Sequence, residues 1–298
     1  MSDPFDAAFV LVDKESGWTS HDVVANARGI FSMKKIGHAG TLDPMATGLV
    51  VLGLGRATRL LRFVQGQSKE YVTTARFGVA TDSLDADGAV LDRAPMEVGT
   101  DDVATVAARF VGDIMQVPPM VSAVQVGGRR LYELAREGKE IDREARPVTI
   151  RRIEVEEVTP GPYPDVTMRV VCGTGTYIRT LADDIARALG GRAHLVALRR
   201  IRNGSLEVRS AWSIEDLRQL GDEGRLDEAV IHPADVLAHM PRFEATGPLI
   251  GQAMNGRRLP AGELAASSEE FATVAGEGRL IGVYRIEGKE LIPEVVLG

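Results

Sequence analysis

The chain has 298 residues, of which 44% are hydrophobic and 26% charged, with a formal net charge of −7 and a single cysteine, Cys172. That length accommodates one large domain with a small one, or two domains, and the lone thiol excludes an intramolecular disulfide and suits a reducing compartment. The acidic opening argues against a secretory leader, and the longest apolar run, Ala46 to Gly55, is far too short to span a bilayer, so a cytoplasmic protein without a membrane partner is expected.

Phe9 to Asp13 reads as a short buried strand. In "TSHDVVANARGIF", Thr19 or Ser20 is placed to cap a helix whose buried face carries Val23, Val24, Ala27 and Ile30. Leu49 to Leu54 predicts a buried strand, and "RATRLLRFVQ" a short helix presenting Arg56, Arg59 and Arg62. "KEYVTTARFG" alternates, with Tyr71, Thr73, Ala75 and Phe77 on one side. A helix follows over Asp101 to Phe110, another around Leu131 to Glu137, and strands over Val148 to Val158 and Val166 to Cys172. "TYIRTLADDIARALGG" gives the clearest helix, with Thr176 as its expected cap and Gly190–Gly191 as its stop. Strands and helices mix without βαβ regularity, which predicts an α+β fold with a mixed, largely antiparallel sheet. A boundary near Met240–Pro241 divides a catalytic domain, 1–240, from a small, mostly β domain, 241–298.

The acidic excess is concentrated. Between Thr81 and Val103 there are seven acids and one base, Arg93, whereas bases cluster at Lys34–Lys35, at Arg56, Arg59 and Arg62, at Arg129–Arg130, at Arg151–Arg152, and at Arg199, Arg200 and Arg202. Each cluster alone reads as a solvated face. Several of them around one loop suit a phosphate-binding surface.

That loop is "GHAGTLDPMATG", residues 37–48, in which small residues surround one carboxylate, Asp43. An aspartate before proline is ordinarily a turn residue. The glycines at 53 and 55 lack the phosphate-loop pattern, and the histidines are scattered, so neither a metal nor a cofactor is expected. A nucleophilic carboxylate in a tight loop is the remaining chemical reading.

"GHAGTLDPMATGLVVLGLGRAT" resembles the catalytic motif of the TruB-type tRNA pseudouridine synthases. "DKESGWTSHDVV", "KEYVTTARFG", "GGRRLYELAREG", "GTYIRTLADDI" and "HLVALRRIRNG" are similar to further blocks of that family and stand in family order. The resemblance covers roughly residues 9 to 212, and the tail resembles the small PUA-type RNA-binding domain. It implies isomerisation of one uridine of the tRNA T-arm, at position 55, to pseudouridine, by extrusion of the base. Asp43 matches the catalytic aspartate, with attack on C6 of the base or C1′ of the ribose both open. Arg179 matches the arginine that pairs with it, and Tyr71 the active-site tyrosine. Tyr177 and Leu198 match pocket-lining positions and His38 an RNA-contacting histidine, and Arg59 and Lys14 are counted with them as substrate-binding. The segment Gln125 to Arg146 resembles one that closes over RNA. Glu15, Val121 and Gln125 depart from the family pattern. A monomer without an obligate protein partner is implied, complete in its site without the tail.

Two other readings stay beside this one. A tRNA-binding and folding module would use the same basic clusters, but has no need of the Asp43, Tyr71 and Arg179 set. A carboxylate glycosidase needs a second acid close by, and the Asp43 loop has none.

Overall fold

A computed structural model describes residues 4–121, 125–126, 129–130 and 141–297. The helix expected around Leu131 to Glu137, the side chains of Gln125, Arg129 and Arg130, and most of the segment up to Arg146 lie outside the described residues.

The chain opens with β1 (Ala7–Lys14), whose central residues are all buried. Helix α1 (Ser20–Ile30) starts at a capping box: the Thr19 hydroxyl accepts the Asp22 amide at 3.1 Å and the Asp22 carboxylate accepts the Thr19 amide at 2.8 Å. Then come β2 (Ile36–His38) and β3 (Thr47–Gly55), a 3-10 turn over Arg56–Leu60, and α2 (Leu61–Gln65). β4 (Lys69–Phe77) buries every second residue, as its alternation predicts. β5 (Val79–Thr81) pairs with β6 (Val90–Arg93), followed by α3 (Thr100–Ala107) and β7 (Gly112–Gln116). β8 (Gln125–Val126) pairs with β9 (Arg129–Arg130). Next are β10 (Arg146–Val158), β11 (Asp165–Cys172), α4 (Ile178–Ala188), β12 (Ala193–Asn203) and β13 (Leu206–Glu207). The chain ends with α5 (Ile214–Asp222), β14 (Val230–Ile231), α6 (Pro233–Val236), β15 (Arg242–Glu244), α7 (Pro248–Met254), β16 (Leu259–Pro260), β17 (Phe271–Gly276), β18 (Arg279–Glu287) and β19 (Glu290–Val296). Among the described residues no helix is long and apolar enough to cross a membrane.

Two compact units emerge. The first comprises Met1–Pro44, Gly48–Gly66 and Gly204–Gly298, and the second Met45–Thr47 and Gln67–Asn203. In the first, β1 lies antiparallel between β3 and β14, and β2 pairs antiparallel with β3. In the second, an antiparallel sheet runs in the order β12-β4-β11-β10-β7. Helix α4 packs on β12 and β4 through Ile178, Leu181, Ala182 and Ile185, all buried. The cap of α4 differs from the expectation. Tyr177 is the N-cap residue and no side chain caps the helix; the Thr176 hydroxyl instead donates to the Gly173 carbonyl at 3.1 Å. At the other end, the buried Asp183 carboxylate accepts Arg187 and Arg192 at 2.8 Å each and the Ala193 amide at 3.1 Å, tying the helix to the first residue of β12.

The C-terminal residues form a five-stranded sheet, β15-β17-β18-β19-β16, antiparallel except for the β15–β17 pair. It has a small core of its own around Val274, Ile281, Tyr284 and Leu291. The fold is therefore α+β, largely antiparallel, with a small β domain at the C-terminus. That domain does not keep its apolar residues to itself. Leu280, Val283, Val295 and Leu297 join Phe9, Leu11, Leu49, Leu60 and Phe63 in one core of the first unit. The arginines of the 3-10 turn and α2 reinforce the join. Arg56 bonds the Leu297 carbonyl and Asp6, Arg59 donates to the Val296 carbonyl at 2.7 Å, and Arg62 pairs with Glu294.

Sharing a core makes the tail structurally expensive to remove. A fully buried Val or Leu contributes about 1.5–3 kcal/mol, so deleting residues 241–298 strips several such contributions from the first unit. The truncated chain is expected to unfold at markedly lower urea than the parent, or to be insoluble. A truncation with parental stability would show that the shared core carries no weight.

Asp184 supplies a pH-dependent prediction. Burial, and next the charge of Asp183, push its carboxyl up to about 6. A raised carboxyl pKa makes the folded state bind the proton more tightly than the unfolded one, so the ionised group opposes folding fully above pH 6, and that opposition fades as pH falls from about 6 toward the ordinary carboxylate range. Asp184→Asn should therefore stabilise the protein by about 1 kcal/mol at pH 8, after allowing for solvent screening, and by nothing at pH 4. Urea titrations at the two pH values test this, and an equal gain at both would refute the assignment.

Candidate active site

Among the eight residues singled out from the sequence, Asp43, His38, Lys14 and Arg59 belong to the first unit, and Tyr71, Tyr177, Arg179 and Leu198 to the second.

Asp43 is half-buried in the loop between β2 and β3. Its neighbours are pinned from the connection between β1 and α1. The hydroxyl of Ser20, a residue with no exposed surface, accepts the Leu42 amide at 2.9 Å. The Pro44 carbonyl accepts the Gly17 amide at 2.8 Å and the Lys14 ammonium at 3.2 Å. Lys14 is 1% exposed and also donates to the carbonyls of Glu15 and Trp18, at 2.9 and 2.7 Å. These bonds tie the Lys14 ammonium to the loop backbone beside Asp43. At the base of the same loop, the His38 ring meets the ring of exposed His21 edge-on, with centroids 5.5 Å apart.

The small residues of the loop have a packing role. Ala39 and Ala46 are fully buried, and a Cβ at Gly37 would stand 3.0 Å from Leu61. The glycines of β3 serve similarly. A Cβ on Gly53 would come within 3.1 Å of Leu61, and one on Gly55, whose φ is +53°, would collide with the Asp6 carbonyl. Close approach of an RNA backbone is not needed to explain them. In the 56–62 cluster, Arg59, though exposed, donates to the Val296 carbonyl of β19.

In the second unit, Tyr71 and Leu198 lie on one buried face of the neighbouring strands β4 and β12, Tyr71 opposite Arg200 and Leu198 opposite Thr73. Lys69 shares that face. Burial, and next the positive charge of Arg200, push its ammonium down to about 8, and it donates to the Gln67 carbonyl at 2.7 Å. Tyr177 is half-buried just before α4.

Arg179, 2% exposed in the first turn of α4, is the most constrained of the set. Its Nη1 donates to the Ser83 carbonyl at 2.8 Å and lies 3.3 Å from Asp85 Oδ2, and its Nη2 donates to the Val121 carbonyl at 2.8 Å. Asp85 is itself buried. Its other oxygen accepts the Ser83 hydroxyl, and its carbonyl accepts the Thr81 hydroxyl at 2.8 Å. Sequence reasoning missed Asp85, which was counted only as one of seven acids between Thr81 and Val103. No local pattern marks a carboxylate whose partner lies far along the chain. Among the described residues, no three or more His, Cys, Asp or Glu side chains gather in a way that could hold a metal ion.

Two family descriptions match this chain in succession: TruB family pseudouridylate synthase, N-terminal domain, over residues 28–178, and tRNA pseudouridylate synthase B C-terminal domain, over residues 179–238. The chain belongs to the TruB family. A protein of Mycobacterium leprae (strain TN) named tRNA pseudouridine synthase B is 45% identical over 296 residues, covering 97% of this chain and 90% of its own. One of the same name from Ralstonia nicotianae is 40% identical over 291 residues, covering 96% and 92%. Among solved structures, a chain of a Cbf5–Nop10–Gar1 complex is similar with a TM-score of 0.78 at 25% identity, covering 99% of this chain and 86% of that one. A chain of an H/ACA RNP bound to a substrate RNA containing 2′-deoxyuridine shares the fold, with a TM-score of 0.76 at 23% identity over 99% and 86%. The resemblance drawn from the ordered motif blocks is borne out. In this TruB-family chain, Asp85 adds to the sequence-derived set a carboxylate built against Arg179.

Removing one partner of a buried ion pair typically costs about 3–5 kcal/mol, and Arg179 would still keep its bonds to the Ser83 and Val121 carbonyls. Asp85→Ala is therefore expected to lose about 3 kcal/mol of stability, and markedly less when Arg179→Ala is already present. Denaturant titration of the two single variants and the double variant measures the coupling. Additive losses would mean that the pair does not act as a unit.

Proposed function

We propose that this chain isomerises a uridine of the tRNA T-arm, position 55, to pseudouridine, with Asp43 as the nucleophile. The observation that carries the proposal is the anchoring of Leu42 and Pro44, the residues on either side of Asp43, by Ser20, Gly17 and Lys14. A nucleophile fixed through its backbone meets the substrate with little to reorganise. Family membership and relatives named tRNA pseudouridine synthase B supply the reaction class and the substrate.

In the proposed cycle the target uridine leaves its stack and its base rests against Tyr71, in a pocket with Tyr177 and Leu198. Asp43 attacks C6 of the base or C1′ of the ribose. The N1–C1′ bond breaks, the uracil turns, a C5–C1′ bond forms, and the bond to Asp43 breaks to return the free carboxylate. C5 then loses its proton and N1 gains one, so substrate and product are isomers. Arg179 keeps the carboxylate ionised and oriented, and Asp85 holds Arg179. Tyr71 stacks on the base and stands near the C5 proton. His38 contacts the RNA, with the His21 ring beside it. Arg59 adds a cation at the surface of the first unit. The small β domain, PUA-like, adds RNA-binding surface, and the enzyme works as a cytoplasmic monomer.

The alternative of a tRNA-binding and folding module drew its support from the basic clusters. Arg56, Arg59 and Arg62 are bonded to β19 or its flank, which weakens that support.

The test is Asp43→Asn, which removes the anion and nearly preserves volume. Loss of a nucleophile costs many orders of magnitude in rate, while phosphate contacts supply most of the RNA affinity. The variant is expected to bind tRNA within about tenfold of the parent, roughly 1.4 kcal/mol, and to form no detectable pseudouridine by mass readout at saturating enzyme. A parental rate in the variant would remove Asp43 from the mechanism.

A further inference from the structure

The peptide groups of Tyr177 are held by a side chain that no motif singled out. Gln116, the last residue of β7, is 1% exposed. Its Oε1 accepts the Tyr177 amide at 2.8 Å and its Nε2 donates to the Tyr177 carbonyl at 3.1 Å. A primary amide is the neutral side-chain group that offers an acceptor and a donor side by side, so Gln116 reads Tyr177 as a neighbouring strand would. The Tyr177 carbonyl also accepts the Leu181 amide at 3.0 Å, the first hydrogen bond of α4. Both of its lone pairs are then engaged.

Two further bonds stitch the same segments together. The Thr180 hydroxyl donates to the Val117 carbonyl at 3.4 Å, and Arg179 Nη2 to the Val121 carbonyl at 2.8 Å. Just before Tyr177, Thr174 and Gly175 are exposed, Gly175 has φ +82°, and α4 lacks a side-chain cap. The helix itself does not depend on Gln116. Its apolar face is buried, and Asp183 locks its far end. What Gln116 fixes is local, namely the position and pitch of the residue that leads from the exposed turn to Arg179.

We propose that Gln116 is a positioning residue of the isomerisation: through its two hydrogen bonds to the Tyr177 backbone it sets the Tyr177 ring against the pyrimidine base and holds the approach to Arg179. This rests on the function proposed above. It makes β7 a working part of the site, although its side chain touches neither substrate nor nucleophile.

The test uses the full-length enzyme and an unmodified tRNA transcript, with single-turnover rates and tRNA affinity measured side by side. Parent enzyme that forms no pseudouridine refutes the proposed function itself, before any variant is made. Given an active parent, Gln116→Ala is expected to lower the single-turnover rate at least tenfold, with tRNA affinity unchanged within about threefold. Gln116→Glu isolates the hydrogen bond. As a carboxylate it keeps the contact to the Tyr177 amide but turns a second acceptor toward the Tyr177 carbonyl. As a neutral acid it donates to that carbonyl again. A buried carboxyl facing a carbonyl favours the neutral form, so the rate of Gln116→Glu relative to the parent should climb severalfold as pH falls from about 8.5 to 6. A folded Gln116→Ala enzyme within threefold of the parental rate overturns the proposal. So does a Gln116→Glu ratio that is flat with pH, which would attribute the effect to packing. If Gln116→Ala does not fold, the pH profile of Gln116→Glu decides; if neither folds, Gln116 is structural and the proposal falls.

Discussion

The position of one carboxylate depends on hydrogen bonds made to its neighbours. Ser20 accepts the Leu42 amide, and Gly17 and Lys14 both donate to the Pro44 carbonyl. Lys14 ends β1, Ser20 begins α1 and Gly17 lies in the short connection between them. That connection is itself fixed at both ends, by the eight-residue register of β1 against β3 and by the Thr19–Asp22 capping box. A loop held this way needs no large side chains of its own.

The second unit applies the same logic to a cation. A guanidinium at 2% exposure would be costly if its donors were unmatched. Arg179 has carbonyls from Ser83 and Val121 and the carboxylate of Asp85. Its partners come from two separate stretches of chain, so the arginine is oriented from more than one side. Asp85 in turn is oriented by Ser83. The acidic segment between Thr81 and Val103 therefore does several jobs. Asp85 anchors Arg179, Asp82 accepts the Ala89 amide at 2.9 Å, and Asp102 accepts the Gly99 amide at the start of α3 at 2.9 Å. An excess of charge that looks like a solvated run turns out to be partly internal wiring.

This separates what the sequence makes legible from what it hides. Periodicity and capping are local, so β1, α1, β4 and α3 could be read directly. The alternation of "KEYVTTARFG" marks the buried face of Tyr71, and the Thr19 cap fixes where α1 begins. Family-level motifs carried the recognition of the site residues. Long-range pairing is not local. Ser83 and Arg179 are 96 positions apart, and Gln116 meets Tyr177 across 61. Neither residue type nor spacing announces such a bond. The Thr176 cap failed for a related reason: the hydroxyl had a closer carbonyl, Gly173, in its own turn. The arginines at 56, 59 and 62 looked like a phosphate grip because their partners, Val296 and Leu297 carbonyls and Glu294, lie at the other end of the chain.

The tail follows from those same contacts. The motif blocks end near residue 212 and so suggest an appendage beyond them, while the apolar core does not divide there. Leu280 and Val283 on β18, Val295 on β19 and Leu297 just beyond it cover the side of the first unit formed by Phe9, Leu11, Leu60 and Phe63. The arginines at 56, 59 and 62 then tie down the last strand and its flank. The unit that carries Asp43 is thus closed by the end of the chain. Since β1 belongs to that core and also leads into the connection that pins Leu42 and Pro44, loosening the tail would reach the loop around Asp43 through β1. The shared core is the physical reason that the tail and the first unit do not separate cleanly at a chain boundary.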